Sequence, residues 1–210
     1  MPISATALAE SGLFAGSAFM MGWLGHLELA AHGIVLQLAA ISFMVHLGLS
    51  QAGTVRAGQA FARGDWAAVK RTAAVTMGLS TLAALIAIFF FLATPQMLIS
   101  AFLDVEDLLA PDILRIGTLL LIVAAMFQFV DAAQVVALSL LRGLQDTKIP
   151  MLIAAVSYWL IGLPISYVLG FAMDYKETGI WLGLVFGLGV AAVLLWARFS
   201  VLTRGTYKRA

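Results

Sequence analysis

Between Arg115 and Arg142 the chain reads RIGTLLLIVAAMFQFVDAAQVVALSLLR, and Asp131 is the only charge between its two ends. A helix rises about 1.5 Å per residue, so this stretch can cross a hydrocarbon layer about 30 Å thick. Its middle falls near residue 128, which puts Asp131 about 5 Å from the midplane. A carboxylate at that depth costs roughly 2.5–3.5 kcal/mol on insertion scales, so it normally faces a bundle interior or a water-filled cavity. Gln128 and Gln134 lie three residues either side of it and point roughly the same way from a helix. The trio reads either as hydrogen-bonding glue between helices or as part of an ion or substrate pathway. The pathway is the preferred reading.

The rest of the chain is of the same kind. Hydrophobic residues make up 62% and charged residues only 11%, where a soluble domain carries about 25% charged. Six apolar stretches are long enough to span a bilayer, at about 5–25, 31–53, 72–94, 113–138, 151–172 and 179–201. None has the alternation of a barrel strand, so the expectation is a single bundle of six transmembrane helices. Gly179, Gly183 and Gly187 give the last helix a smooth face, and Gly12 and Gly16 do the same in the first. Gly162 and Pro164 predict a kink in the fifth.

The basic residues predict the orientation. The loop at 54–71 carries Arg56, Arg63, Lys70 and Arg71, and the loop at 141–150 carries Arg142 and Lys148. The tail adds Arg198, Arg204, Lys208 and Arg209. Facing the other side are Arg115 and Lys176, among Asp104, Glu106, Asp107, Asp112, Asp174 and Glu177. The positive-inside rule then places both termini in the cytoplasm. Met1-Pro2-Ile3-Ser4 has no basic lead, so a cleaved signal peptide is not expected. A net charge of +1 gives no reason to expect nucleic acid as a partner.

A second isolated carboxylate is Glu10, the only charge between Met1 and Leu27. It reads either as a partner of Asp131 or as a residue close enough to the interface to snorkel. His32, Gln37, His46 and Gln51 are the polar positions of the second helix. The histidines read as neutral hydrogen-bonding residues, while Gln37 is grouped with Gln128 and Gln134 as a residue of the cavity. His26-Leu27-Glu28 with His32 lacks the H-E-x-x-H spacing of a zinc site, and His26 and Glu28 are expected in an outer turn. With no cysteine, no G-x-S-x-G and no paired-aspartate signature, neither an enzyme nor a bound organic cofactor is expected. Met and Phe residues around a cavity would suit a promiscuous apolar ligand.

Particular segments carry a family resemblance. They are Glu10-Ser11-Gly12-Leu13-Phe14, Met21-Gly22-Trp23-Leu24-Gly25, Ala30-Ala31-His32, Ser42-Phe43-Met44-Val45 and Leu47-Gly48-Leu49-Ser50-Gln51-Ala52. Further along come Phe127-Gln128 before Asp131, then Leu141-Arg142-Gly143-Leu144-Gln145-Asp146-Thr147 leading into Pro150. Ser157-Tyr158-Trp159-Leu160-Ile161-Gly162-Leu163-Pro164 completes the set. In this order the chain resembles the C-terminal lobe of a NorM-type multidrug and toxic compound extrusion (MATE) transporter.

The resemblance implies one lobe of a twelve-helix protein of the bacterial inner membrane. It also implies multidrug efflux of cationic organic compounds by antiport against Na⁺ or H⁺. Glu10 and Asp131 match the family's cation-coupling acids in the first and fourth helices of this lobe, so Na⁺ could be held there. His46 departs from the family's usual proline, and Phe127 from a tyrosine found in some members. The missing N-terminal lobe is the expected partner. Alternatives are a non-transporting fragment or subunit and a related lipid-linked saccharide flippase.

Overall fold

The computed structural model describes residues 2–103 and 108–205, and every regular element among them is helical. The helices are α1 (Pro2–Leu24), α2 (His26–Ala62), α3 (Trp66–Ala93), a short α4 (Pro95–Ser100), α5 (Ala110–Gly143), α6 (Lys148–Ala172) and α7 (Lys176–Gly205). Of these, α2, α3, α5, α6 and α7 are long and apolar enough to cross a membrane. Six such spans were expected. The exception, α1, has 23 residues and so the length, but Glu10, Ser11 and Gly12 interrupt its apolar run. It packs into the bundle against α2, α6 and α7.

The helices outrun the apolar windows that announce them, because a helix does not stop where hydrocarbon ends. The 37 residues of α2 rise about 55 Å, well beyond a 30 Å core. Arg56 therefore belongs to α2, and Lys70 and Arg71 to α3. The connection expected at 54–71 shrinks to Arg63–Asp65. There Gly64, at φ +71°, takes the left-handed turn that its missing Cβ permits. Asp65 then caps α3, its Oδ1 accepting the Ala68 N–H at 2.9 Å. His26 and Glu28 form the first turn of α2 rather than a loop, and only Gly25 separates α1 from α2. The acids Asp104, Glu106 and Asp107 and the tail residues Lys208 and Arg209 lie outside the described residues.

At the centre runs α5, buried along most of its length, with α2, α3 and α7 packed around it. Two apolar clusters share it. One joins Leu120, Leu121 and Phe127 to α1, α2 and α7; the other joins Val136, Leu140 and Leu141 to Val69, Leu195 and Phe199 near the basic end. Helix α5 touches α2 closely where Gly58 faces the Gly143 backbone, and Thr54 Oγ1 donates to Ser139 O at 3.0 Å.

The glycine face of α7 abuts α6. A Cβ on Gly187 would lie 2.8 Å from Gly162 Cα, and one on Gly179 2.5 Å from the Leu169 carbonyl carbon. Around Pro164, α6 widens into π-helical turns at Val156–Gly162 and Val168–Ala172. Proline removes an N–H and would crowd the carbonyl four residues back; the wider i→i+5 register accommodates both effects. Gly12 and Gly16 also face α6, meeting the Trp159 and Leu163 side chains.

Candidate functional site

Helices α1, α2 and α5 line an open cavity of about 470 Å³. Ala7, Glu10, Ser11 and Phe14 come from α1; Leu36, Ala39, Ala40 and Phe43 come from α2; Phe127 and Asp131 come from α5. The small alanines of α2, four and three residues from its larger side chains, leave the room. The two isolated carboxylates thus share one cavity whose walls are otherwise almost wholly apolar.

The carboxylates differ in setting. Glu10 is half-buried, while Asp131 is 1% exposed. Asp131 Oδ2 has no hydrogen-bond partner, and among the described residues Asp131 has no ion pair. Among the described residues five further buried polar atoms are likewise unpartnered: both amide atoms of Gln128, Gln134 Oε1, Ser50 Oγ and Ser157 Oγ. A buried polar atom without a partner costs about 1–3 kcal/mol, and a charged one more. Four of the six belong to Gln128, Asp131 and Gln134, so the unsatisfied polarity concentrates in the middle of α5. That is where a polar or charged ligand gains most.

Neither glutamine lines the cavity. Gln134 Nε2 donates to the Tyr158 hydroxyl of α6 at 2.7 Å. Gln128 approaches His46 without forming a hydrogen bond of ordinary geometry. Three-residue spacing on a helix turns successive side chains through about 60°, so the trio fans across α5 instead of sharing one direction. Gln37 is exposed and lies outside the cavity lining. Its neighbour Leu36 faces the cavity, and one residue along a helix turns the side chain through about 100°.

Both membrane histidines serve as interhelical hydrogen-bonding residues. His32 Nδ1 accepts the Trp181 indole N–H at 3.0 Å, and its Nε2 lies 3.5 Å from Ser17 Oγ. His46 Nδ1 lies 2.9 Å from Ser80 Oγ, and its Nε2 3.5 Å from Ser42 Oγ. These bonds join α2 to α1, α7 and α3. Among the described residues no group of three or more His, Asp or Glu could hold a metal ion. What the cavity offers a cation is its two carboxylates, with Ser11 beside them in the lining.

Sequence reading gave Phe14, Trp181, Tyr158 and Trp159 no part in holding this site in place. Phe14 and Phe127 meet edge-on across it at 6.1 Å, Phe127 meets Trp181 at 5.6 Å, and Trp181 meets His32 at 5.7 Å. An aromatic wall therefore runs from α1 through α5 and α7 to α2. The Trp159 indole N–H donates to Ala9 O at 3.1 Å, one residue before Glu10. The available signal was a tyrosine and a tryptophan side by side in a membrane helix, each with a polar tip that needs a partner.

Residues 2–168 match the MatE family. The probable multidrug resistance protein NorM of Agrobacterium fabrum is 43% identical over 210 residues, covering all of this chain and 45% of that protein. Its namesake in Synechocystis is 40% identical over 204 residues, 97% of this chain and 44% of the relative. Among solved structures, the eukaryotic MATE transporter AtDTX14 superposes with a TM-score of 0.85 at 17% identity, over 99% of this chain and 47% of its own. A MATE family transporter of the MOP superfamily in its outward-facing conformation gives a TM-score of 0.82 at 16% identity, over 100% of this chain and 45% of its own. The chain spans about half the length of the relatives it matches.

Proposed function

Because this chain belongs to the MatE family, we propose that it is the C-terminal six-helix lobe of a multidrug efflux transporter. In this reading the transporter exports bulky cationic organic compounds in exchange for Na⁺ or H⁺. The observation that carries it is Asp131, buried with Oδ2 unpartnered, facing Glu10 across an otherwise apolar cavity. An amphipathic cation finds there aromatic surface for its rings and a carboxylate for its charge. A Na⁺ ion or a proton neutralises the same carboxylate, so the two ligands compete.

Competition becomes exchange when each ligand favours a different conformation. Transporters of this general kind rock one repeat against another around a site near the midplane. Asp131 is the dominant coupling group in this account and Glu10 shares its ligand. Gln128 and Gln134 set the polarity around Asp131 from behind rather than touching the drug. Gln37, on the exposed face, takes no part in this cavity. The lobe sits in the bacterial inner membrane with both termini cytoplasmic, and its partner is an N-terminal six-helix lobe.

The test is resistance to a cationic dye in cells carrying the complete transporter. Asp131→Asn keeps the shape and removes the charge, and is expected to abolish export while leaving the protein in the membrane. Full resistance with the asparagine would overturn the assignment.

A further inference from the structure

Helices α3 and α7 each pack along α5 but hardly touch one another. A cleft of about 600 Å³ opens between them, and neither Glu10 nor Asp131 lines it. One end is basic, with Lys70 on α3 and Arg204 in the last turn of α7. The walls are Met77 and Gly78 on one side and Trp196 and Phe199 on the other.

The dimensions fit one leaflet. Lys70 and Thr81 mark the ends of the α3 wall, eleven residues apart. That is about 16 Å of helix, close to half of a 30 Å hydrocarbon core. The α7 wall is fixed in place: Trp196 donates its indole N–H to Ala133 O at 3.0 Å and meets Phe199 edge-on at 5.6 Å. On the α3 wall, a Cβ added to Gly78 would meet nothing within 4 Å, so the space beside it is open.

An apolar trough one leaflet deep with two cations at its mouth matches the shape and charge of a phospholipid. We propose that the α3–α7 cleft binds one anionic glycerophospholipid, its acyl chain lying along Gly78 and Trp196 and its phosphate between Lys70 and Arg204. Basic pockets between membrane helices recognise headgroups through this combination. A net-neutral headgroup carries its own cation and gains less from the pair. The site is independent of the transport reading, since neither cation belongs to the drug cavity.

The experiment uses the protein as isolated from its membrane, with any partner it carries, in nanodiscs of equal phosphatidylglycerol and phosphatidylcholine. Native mass spectrometry counts the lipids retained on release. Phosphatidylglycerol is expected to be retained about fivefold or more over phosphatidylcholine, given roughly 1 kcal/mol per basic residue near an anionic lipid. Gly78→Leu fills the cleft, and Lys70→Gln with Arg204→Gln removes the charges from two exposed positions; each is expected to bring the ratio close to one. Arg63→Gln with Lys148→Gln removes two basic residues outside the cleft and is expected to leave the ratio unchanged. Enrichment that survives Gly78→Leu would overturn the proposal, as would equal loss in the Arg63 and Lys148 control. A photo-crosslink from position 78 to a polypeptide would also overturn it and assign the cleft to a partner helix.

Discussion

Gln134 and Tyr158 are joined by a 2.7 Å hydrogen bond from the glutamine amide to the tyrosine hydroxyl, one turn of α5 from Asp131. The next residue of α6, Trp159, donates to Ala9 O one residue before Glu10. Two consecutive side chains of one helix therefore fix the two helices that carry the carboxylates. Their part of α6 is the π-helical segment Val156–Gly162. A wide turn passes about 4.4 residues per revolution, so neighbouring side chains diverge by less than in an α-helix. That helps Tyr158 and Trp159 reach α5 and α1 from one turn.

Tyr158→Phe removes the hydroxyl and leaves all of the buried Gln134 amide without a partner. The expected loss is about 1–3 kcal/mol of stability. It should appear as a lower melting temperature in detergent, together with weaker export by the complete transporter. An unchanged melting temperature would mean that Gln134 finds a substitute partner and that Tyr158 is not a clamp.

Trp159→Phe keeps an aromatic ring over Gly12 but deletes the bond to Ala9 O. The stability change is expected to be small, about 0.5–1.5 kcal/mol, because the bond is exposed. The larger expected effect is on the ion dependence of export, through a less well placed Glu10. Glu10→Gln should move that dependence in the same direction. The chain has no cysteine, so Glu10→Cys can be probed directly with charged thiol reagents. Reaction from the aqueous phase, blocked by a bulky cationic drug, is the expected result; reaction only with lipid-soluble reagents would detach Glu10 from the cavity.

The glycines separate into two classes with opposite expectations. A Cβ on Gly183 would fall inside van der Waals contact with the Ser166 backbone, where no rotamer can yield. Gly183→Ala should cost about 1–3 kcal/mol and force α6 and α7 apart. Gly33 has open space at its Cβ, and Gly33→Ala should stabilise by up to about 1 kcal/mol through helix propensity. Equal melting temperatures for the two variants would contradict the close α6–α7 approach.

Apolar length and isolated charge were legible in the sequence, and they account for the helices and for Glu10 and Asp131 in one cavity. Small-residue spacing announced a close neighbour for the last helix, because glycines four apart let backbones approach, but not that the neighbour is α6. Gly58 and Gly143 escaped notice because neither has another glycine at four-residue spacing to announce it, and only their meeting across α2 and α5 gives them a role. Helix ends were misplaced for a different reason. Hydropathy reports where lipid ends, whereas caps such as Asp65 and turns such as Gly64 report where helix ends. The fan of Gln128, Asp131 and Gln134 was misread because spacing gives an angle on one helix, while burial depends on which neighbours surround it. Gln37 shows the same limit, since nothing in its own segment says which face meets α1.

The last expectation concerns transport by this lobe alone. A site between rocking lobes needs both walls, and the described helices supply one: the cavity of α1, α2 and α5 with its two acids. Without a second lobe, Glu10 and the exposed Gln37 would meet lipid, at a cost of several kcal/mol for the pair in their polar forms. Two copies of this chain could face each other, but that would set Glu10 and Asp131 against their own duplicates and oppose like charges. A different lobe with fewer acids on its facing wall avoids the repulsion. The chain purified alone and reconstituted in liposomes should therefore fail to move a cationic dye under either a Na⁺ or an H⁺ gradient. Adding an N-terminal MatE lobe to the same liposomes should restore gradient-driven efflux, and Asp131→Asn should abolish it again. Efflux by the 210-residue chain alone would overturn the two-lobe account, and efflux that survives Asp131→Asn would overturn the coupling role of that residue.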